Sequence, residues 1–174
     1  RVFRGPKDLI HCGLIGNCGV ISFNGNKLIT TGGGGVIITN NENLAFRCKH
    51  LSTTAKKDHK WEFLHDEIAW NDRMPNINAA LGLAQLEVVE KRIAQKDKLL
   101  KKYLEIFSDI KDVEIILDKS ANIKNNWLIN LRYLDADKKI ANIRKNNLLL
   151  KSNERGINLR PVWRLLHKLP MYAN

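Results

Sequence analysis

The chain has little of what marks a secreted or membrane protein. It has only three cysteines in 174 residues, Cys12, Cys18 and Cys48. This odd and sparse set argues against a disulfide framework and fits a reducing cytoplasm. No apolar run approaches the roughly 20 residues that a helix needs to cross a bilayer, and no signal-type apolar segment follows residues 1–7. We therefore expect a cytoplasmic protein without a membrane partner.

Negative charge is also scarce. Lysine and arginine number 29 against 18 acids, which gives a formal net charge of +11. A surplus of this size is compatible with nucleic acid and equally with a phosphorylated small ligand. The basic residues are spread over 91–102, 138–151 and 155–168 rather than concentrated in one block, which is typical of solvated helix faces. A nucleic-acid-binding module remains as the weaker interpretation.

The sequence does not predict a metal site. His11, Cys12, Cys18 and Cys48 are the candidate ligands, but they contain no Cys-x-x-Cys pair and no second close pair. A structural zinc site needs four ligands at recognisable spacing. We predict that no metal is bound by these residues.

The N-terminal part predicts two strands joined by a loop. Residues 20–23 and 36–39 are short apolar runs, separated by the turn signal at 24–26 and the four glycines at 32–35. Phosphate loops of nucleotide-binding proteins lead into a helix, whereas this glycine run leads into a β-branched segment. We therefore predict a bend between two strands, followed by a short helix over 42–50.

The remaining chain predicts a long connection and a long helix. Residues 51–71 have no clean periodicity, and a connection of that length tends to be functional. Pro75 suits the first turn of a helix whose apolar spacing continues to about Phe107.

Beyond that helix the pattern is mixed. Residues 113–117 and 127–133 are strand-like, and Asp137 can cap a helix that ends at Gly156. This change of pattern predicts a boundary near the middle of the long helix, with an α+β unit after it.

Lys27 has an unusual setting. Its neighbours at 24–26 and 30–32 are small or polar, which leaves space around the amine and supplies hydrogen bonds. A lysine held in this way can form a Schiff base with a carbonyl compound. From the residues alone, the commoner interpretation of a solvated turn lysine stays open.

Three segments resemble motifs of the DegT/DnrJ/EryC1/StrS family, the pyridoxal-phosphate-dependent aminotransferases that act on nucleotide-linked sugars. Residues 22–35 (SFNGNKLITTGGGG) resemble the cofactor-lysine motif, and residues 70–87 (WNDRMPNINAALGLAQLE) resemble the Asn-x-Arg-Met loop with its helix. Residues 156–163 (GINLRPVW), with His167, resemble the Arg-Pro-x-Trp segment. Residues 50–56 (HLSTTAK) are most similar to the branch that makes bacillosamine- and legionaminic-type sugars.

The resemblance implies an α/β fold, that of the fold-type-I pyridoxal-phosphate transferases. Residues 1–95 would be the C-terminal part of the large cofactor-binding domain, and residues 96–174 a truncated α+β small domain. The family's phosphate-binding loop, stacking aromatic and pyridinium-pairing aspartate precede the lysine motif and have no counterpart here. The pyridinium partner tunes the cofactor as an electron sink. We therefore expect a fragment that is incomplete and inactive alone.

The resemblance also implies roles in cofactor binding. Lys27 would bond to pyridoxal phosphate and then act as the base that moves a proton between cofactor and substrate carbon. Ser22 would hydrogen-bond the cofactor phosphate. Asn71 would reach across a homodimer interface to the partner's phosphate, with Arg73 nearby. From the residues alone, Asn71 could equally cap the following helix and Arg73 could be a surface charge.

Substrate binding is implied for three further residues. Arg160, Trp163 and His167 would lie toward the nucleotide-sugar, where a cation suits the diphosphate. Trp163 is by composition alone more typical of a core. No metal ligand is expected among the site residues.

The implied reaction moves an amino group from an amino acid, L-glutamate, to a 4-keto nucleotide-sugar used in cell-surface glycan biosynthesis. A UDP-linked 4-keto-6-deoxy sugar is favoured. Two alternatives stay open at this point. A sugar dehydratase relative of the same fold uses histidine where the aminotransferases use lysine, and Lys27 argues against it. A basic nucleic-acid-binding module accounts for the net charge but not for the three motifs.

Overall fold

The computed structural model describes residues 10–117 and 124–172. These residues form two compact units, 10–99 with 124–127 and 100–117 with 128–172. The boundary between the two units, at residues 99 and 100, lies within a helix, and so does residue 95, where the sequence predicts the boundary. Residues 124–127 group with the first unit, although the sequence analysis places them in the second. The assignment of the two units to a large and a small domain stays a prediction. The expected absence of a signal-type segment concerns the start of the chain, and residues 1–7 lie outside the described ranges.

The first unit contains an antiparallel pair of strands. β1 (Gly19–Ser22) pairs with β2 (Gly35–Ile38), with Ser22 opposite Gly35. The predicted pair of strands joined by a bend is confirmed, each strand beginning one residue earlier than expected. Gly32 and Gly34 have φ of +81° and +97°, a region that glycine enters without steric cost. The glycines are therefore present because the turn requires positive φ, and the run is not a phosphate loop.

Three helices follow, the last of them passing into the second unit. α1 (Glu42–Ser52) begins at the N-cap Asn41, whose side chain accepts the Leu44 N–H at 3.0 Å. The single helix predicted from Pro75 to Phe107 is wrong in one respect, because it is divided into α2 (Asn76–Glu87) and α3 (Val89–Phe107). The break falls at Val88 beside Val89, where β-branched side chains lower helix propensity.

The second unit combines a short sheet with a helix. β3 (Val113–Ile115) pairs antiparallel with β4 (Leu131–Tyr133). α4 (Lys138–Glu154) is capped by Asp137, whose carboxylate accepts the Lys139 N–H at 2.7 Å, and Gly156 follows it with φ of +74°. The cap and the end of this helix are confirmed. The strand predicted over 127–133 is wrong for 127–130, which lie outside β4.

An arginine joins three parts of the second unit. Arg144 on α4 donates to Asp135 at 3.0 Å and 3.1 Å and also pairs with Asp112, while its guanidinium lies 4.6 Å from the Tyr133 ring centroid. The hydrogen bond from Arg144 holds the pKa of Asp112 below its ordinary value. The helix is thereby fastened to the end of the sheet at which β3 begins and β4 ends.

This ion pair predicts an acid-dependent loss of stability. Because the folded-state pKa of Asp112 is depressed, the stabilisation is present above the unfolded-state pKa of about 3.9 and is lost as the pH falls through the folded-state value. We expect Asp112→Asn to lower the free energy of unfolding at neutral pH and to flatten its acid dependence. Urea titrations between neutral and strongly acidic pH measure both effects. The matched control is Asp109→Asn, at an exposed aspartate outside the arginine pair, and an unchanged acid slope in Asp112→Asn would contradict the assignment.

Candidate functional site: the lysine loop

The segment between β1 and β2 is a closed loop. Phe23 donates its N–H to Gly34 O at 2.9 Å, and Phe23 O accepts the Thr31 N–H at 3.0 Å and the Thr30 hydroxyl at 3.1 Å. Within this lysine loop (residues 23–34), the Lys27 N–H donates to Asn24 O at 3.0 Å, which forms a tight turn. The result is a half-buried lysine on a turn within a loop that is closed by its own backbone.

Two helices hold the lysine loop from outside. Asn78 on α2 donates to Thr31 O at 2.5 Å, and Arg92 on α3 donates to Leu28 O at 3.2 Å. Thr31 is only 1% exposed, and its hydroxyl bonds to Gly33 O. The loop is therefore fixed on both sides of its glycine run.

A glycine on α2 makes this close packing possible. A Cβ placed on Gly82 would lie 2.9 Å from Thr31 Cγ2, a stiff branched side chain with no room to move. We expect Gly82→Ala to destabilise the first unit by about 1 kcal/mol net, because overpacking outweighs the gain in helix propensity. Urea unfolding of the whole protein measures this loss.

The same substitution in a Thr31→Ser background is the control. Removing Cγ2 removes the clash, so Gly82→Ala should there be neutral or stabilising by up to about 1 kcal/mol. An equal loss in both backgrounds would show that the contact is not the cause.

The amine of Lys27 lies against an aromatic ring. Lys27 Nζ is 3.7 Å from the centroid of the Trp127 ring, and the Trp127 indole N–H donates to Asn26 O at 2.8 Å. The sequence analysis missed Trp127 as a site residue and treated it as the start of a strand. Trp127 and Asn26 are 101 residues apart in the sequence, and the motifs contain no signal that joins them.

Ser22 ends β1 and is exposed. Its Oγ accepts the Asn24 N–H at 3.3 Å, so the hydroxyl hydrogen can be donated to an anion. Pyridoxal phosphate requires an amine that can bond to its aldehyde and donors for its phosphate. Lys27, on the turn of the lysine loop, and Ser22, at the end of the strand that precedes it, fit these two requirements.

Asn71 and Arg73 lie on a segment fixed by its backbone. Asn71 forms an isolated bridge with Thr53, and the Trp70 N–H donates to Leu51 O at 3.0 Å. The N-cap of α2 is Pro75, so Asn71 does not cap that helix. Both side chains are exposed and, among residues 10–117 and 124–172, neither forms a hydrogen bond or ion pair with this chain.

A charged cluster fastens the connection between α1 and α2. His50 Nε2 lies 2.7 Å from Asp66 Oδ1 and 3.5 Å from Glu67 Oε1, while Arg47 engages both Glu67 oxygens. The hydrogen bond with His50 lowers the pKa of the Asp66 carboxyl. Although three of these groups lie within metal-binding distance of one another, Arg47 already supplies the cation for Glu67. We assign the cluster as an ion-pair network that the sequence analysis missed.

The substrate residues expected from the third motif lie in the second unit. The Arg160 guanidinium is 5.3 Å from the Trp163 ring centroid, a cation–π pair, and Trp163 is 70% exposed. His167 lies in a short 3-10 helix, Leu166–Lys168, and is exposed. The structure brings Arg160 and Trp163 together, and the interpretation of Trp163 as a core residue is wrong.

The lysine loop presents a half-buried amine on a turn that the backbone closes. In the comparison with known proteins, the profile of the DegT/DnrJ/EryC1/StrS aminotransferase family matches residues 8–174. The chain belongs to this family. The expectations of the family, of a fold-type-I architecture and of pyridoxal phosphate as the family's cofactor are confirmed.

Individual relatives match nearly the whole chain. EpsN of Bacillus subtilis (strain 168), whose name describes a pyridoxal phosphate-dependent aminotransferase, is 32% identical over 98% of this chain and 41% of its own length. GDP-perosamine synthase of Escherichia coli O157:H7 is 32% identical over 94% and 42%. The solved structure of Helicobacter pylori PseC, an aminotransferase of pseudaminic acid biosynthesis, superposes with a TM-score of 0.80 at 25% identity, over 92% of this chain and 43% of PseC.

The chain thus spans less than half the length of these relatives. Within residues 10–117 and 124–172, no helix is both long enough and apolar enough to cross a membrane.

Proposed function

We propose that the whole protein is a pyridoxal-phosphate-dependent aminotransferase that moves an amino group from L-glutamate to the keto group of a nucleotide-linked sugar. The observation that carries the proposal is the half-buried amine of Lys27 in a backbone-closed loop, with the Ser22 hydroxyl at the strand end that precedes it. Family membership and the names of the relatives support the same activity.

Each residue of the lysine loop has a separate task in this proposal. Lys27 Nζ holds the cofactor covalently and, when released, takes and returns the proton at the reacting carbon. The Ser22 hydroxyl donates to the cofactor phosphate. When bound, pyridoxal phosphate supplies the electron sink that lets this carbon lose its proton. Asn78 and Arg92 act on the backbone and keep the loop in place.

Asn71 and Arg73 act, in this proposal, on the neighbouring subunit. Their side chains are exposed on a segment whose backbone is fixed to the end of α1. A fixed segment can present an amide and a guanidinium to a phosphate without large loss of conformational freedom. We therefore propose a homodimer with shared active sites, located in the cytoplasm.

Mixing two inactive variants tests the shared site. In the whole protein, Lys27→Ala and Asn71→Ala chains should each be inactive, whereas hybrid dimers contain one site with both residues intact. We expect recovery of up to about half of the activity per hybrid dimer after verified subunit exchange. Mixing Lys27→Ala with Lys27→Ala/Asn71→Ala chains is the matched control and should recover nothing. No recovery in the first mixture would contradict a shared site.

Arg160 and Trp163 are the proposed contacts for the nucleotide-sugar. Their exposed cation–π pair offers a charge for the diphosphate and a flat surface for a ring. His167 is proposed to lie toward the same ligand. The favoured acceptor is a UDP-linked 4-keto-6-deoxy sugar, although three relatives have names that specify GDP.

The reaction itself is tested on the whole protein with pyridoxal phosphate, L-glutamate and UDP- or GDP-linked 4-keto-6-deoxy sugars. We expect one amino sugar and one 2-oxoglutarate to form per turnover, with the UDP sugar preferred and Lys27→Ala as the inactive control. Mass spectrometry of the sugar and enzymatic assay of 2-oxoglutarate measure the products. A sugar product that has lost a hydroxyl group and gained no nitrogen would instead show a dehydratase.

A further inference from the structure

We propose that Trp127 is a positioning residue for Lys27: its indole holds the lysine amine near the reacting atoms whenever that amine is not bonded to the cofactor. This inference rests on the proposed role of Lys27. In that role the amine must leave the cofactor during every turnover and still take up a proton at a defined place. A flexible four-carbon side chain needs a partner to stay within reach, because a misplacement of about 1 Å can cost as much as 10²-fold in rate.

The geometry provides such a partner. Lys27 Nζ lies 3.7 Å from the centroid of the Trp127 ring, well inside the roughly 6 Å at which a cation is attracted to an aromatic face, and tryptophan is the strongest of the aromatic partners. The contact is half-buried on both sides, so water screens it less than it would a contact on an exposed surface. The ring face is therefore a specific resting place for the ammonium group.

Trp127 is held in place independently of Lys27. Its carbonyl accepts a hydrogen bond from Lys96 Nζ at 3.1 Å, and the preceding Asn126 donates to Asp97 Oδ1 at 2.6 Å. Both partners lie on α3, the helix that also contributes Arg92 to the lysine loop. The ring is thus anchored to the same helix that holds the loop, which fixes its distance from Lys27.

The indole also fixes the backbone of the loop. Its N–H donates to the carbonyl of Asn26, the residue before Lys27, at 2.8 Å. One side chain therefore contacts the lysine amine through its ring face and the carbonyl of the preceding residue through its ring edge. A surface cation–π pair formed by chance would not be expected to provide the second contact.

Two substitutions of Trp127 separate the contribution of its ring face from that of its indole N–H. Trp127→Phe keeps an aromatic face and loses the N–H, whereas Trp127→Met keeps much of the bulk and loses both. In the whole protein we expect Trp127→Met to lower kcat about tenfold or more with KM for the sugar changed less than threefold. Trp127→Phe should retain most of kcat. Phe46→Met is the control, because Phe46 is 73% exposed, lies on α1 and is outside the lysine loop, and it should leave both constants unchanged.

A second measurement needs neither cofactor nor activity. Lysines of the cofactor-depleted whole protein are ¹³C-methylated, which keeps their charge, and the Lys27 signal is assigned from its loss in Lys27→Arg. Ring current from Trp127 should shift this signal upfield in the wild type and in Trp127→Phe, and the shift should disappear in Trp127→Met. If Trp127→Met fails to fold, 5-fluorotryptophan and 5,7-difluorotryptophan are placed at position 127 instead. These residues keep the shape of the indole and weaken the attraction of its face for a cation, so kcat should fall with each added fluorine.

The outcomes distinguish the two proposals. The role of Trp127 alone is overturned if Lys27→Ala is inactive but Trp127→Met leaves both kcat and the Lys27 signal unchanged. It is also overturned if Lys27→Ala is inactive but fluorination of Trp127 leaves kcat unchanged. Full activity in Lys27→Ala overturns the proposed function and this inference with it. Selective loss of kcat in Trp127→Met, rescue by Trp127→Phe and the loss of the shifted signal support the inference.

Discussion

Replacing Lys27 with alanine in the whole protein is expected to abolish both the visible absorbance band of bound pyridoxal phosphate and amino transfer. The reason is that one amine makes the covalent bond and also moves the proton, and proton transfer alone contributes about 10²–10⁴-fold. Absorbance spectra and the release of 2-oxoglutarate measure the two losses. Lys49→Ala is the matched control, because Lys49 is an exposed lysine on α1. Turnover retained in Lys27→Ala would contradict the assignment.

The second large effect concerns the 174-residue chain by itself, which we expect to self-associate and to bind pyridoxal phosphate weakly at best. Val20 and Ile37 are partners across β1 and β2, yet they are 77% and 48% exposed. Exposed apolar strands with open edges pair with other chains, and each Å² left in water costs about 25 cal/mol. The α+β part, from about residue 112, should be the most stable portion alone.

A polar double variant, Val20→Thr/Ile37→Thr, tests the cause of this association. It should raise the solubility of the chain and shift its sedimentation toward the monomer, whereas Ile140→Thr/Ile143→Thr on α4, also exposed, should have a smaller effect. A monodisperse monomer of the unsubstituted chain that binds the cofactor tightly would contradict the prediction.

Local signals in the sequence were sufficient for several elements. Asp137 and Gly156 mark the ends of α4 because a cap and a left-handed glycine act within a few residues. The glycine run was correctly identified as a bend because β-branched residues follow it. The break at Val88 was missed, since continuous apolar spacing hides a single residue with non-helical backbone.

The site could be predicted only where its residues are close in sequence. Lys27 and Ser22 share one short motif, and the family resemblance gave them their proposed roles. Trp127 reaches Asn26, the residue before Lys27, across 101 residues. The network of Arg47, His50, Asp66 and Glu67 joins a helix to a segment with no periodicity. Such contacts depend on how the chain returns upon itself, and no local pattern encodes that.

The most direct test of the central claim is peptide mapping of the wild-type whole protein after borohydride reduction in the presence of pyridoxal phosphate. Reduction makes the lysine–cofactor bond permanent, and mass spectrometry then locates it among the chain's lysines. We expect the reduced cofactor on the peptide that contains Lys27, at near one equivalent per chain, with the exposed lysines of α3 and α4 unmodified. Labelling spread over those exposed lysines, or an unmodified Lys27 peptide, would contradict the claim.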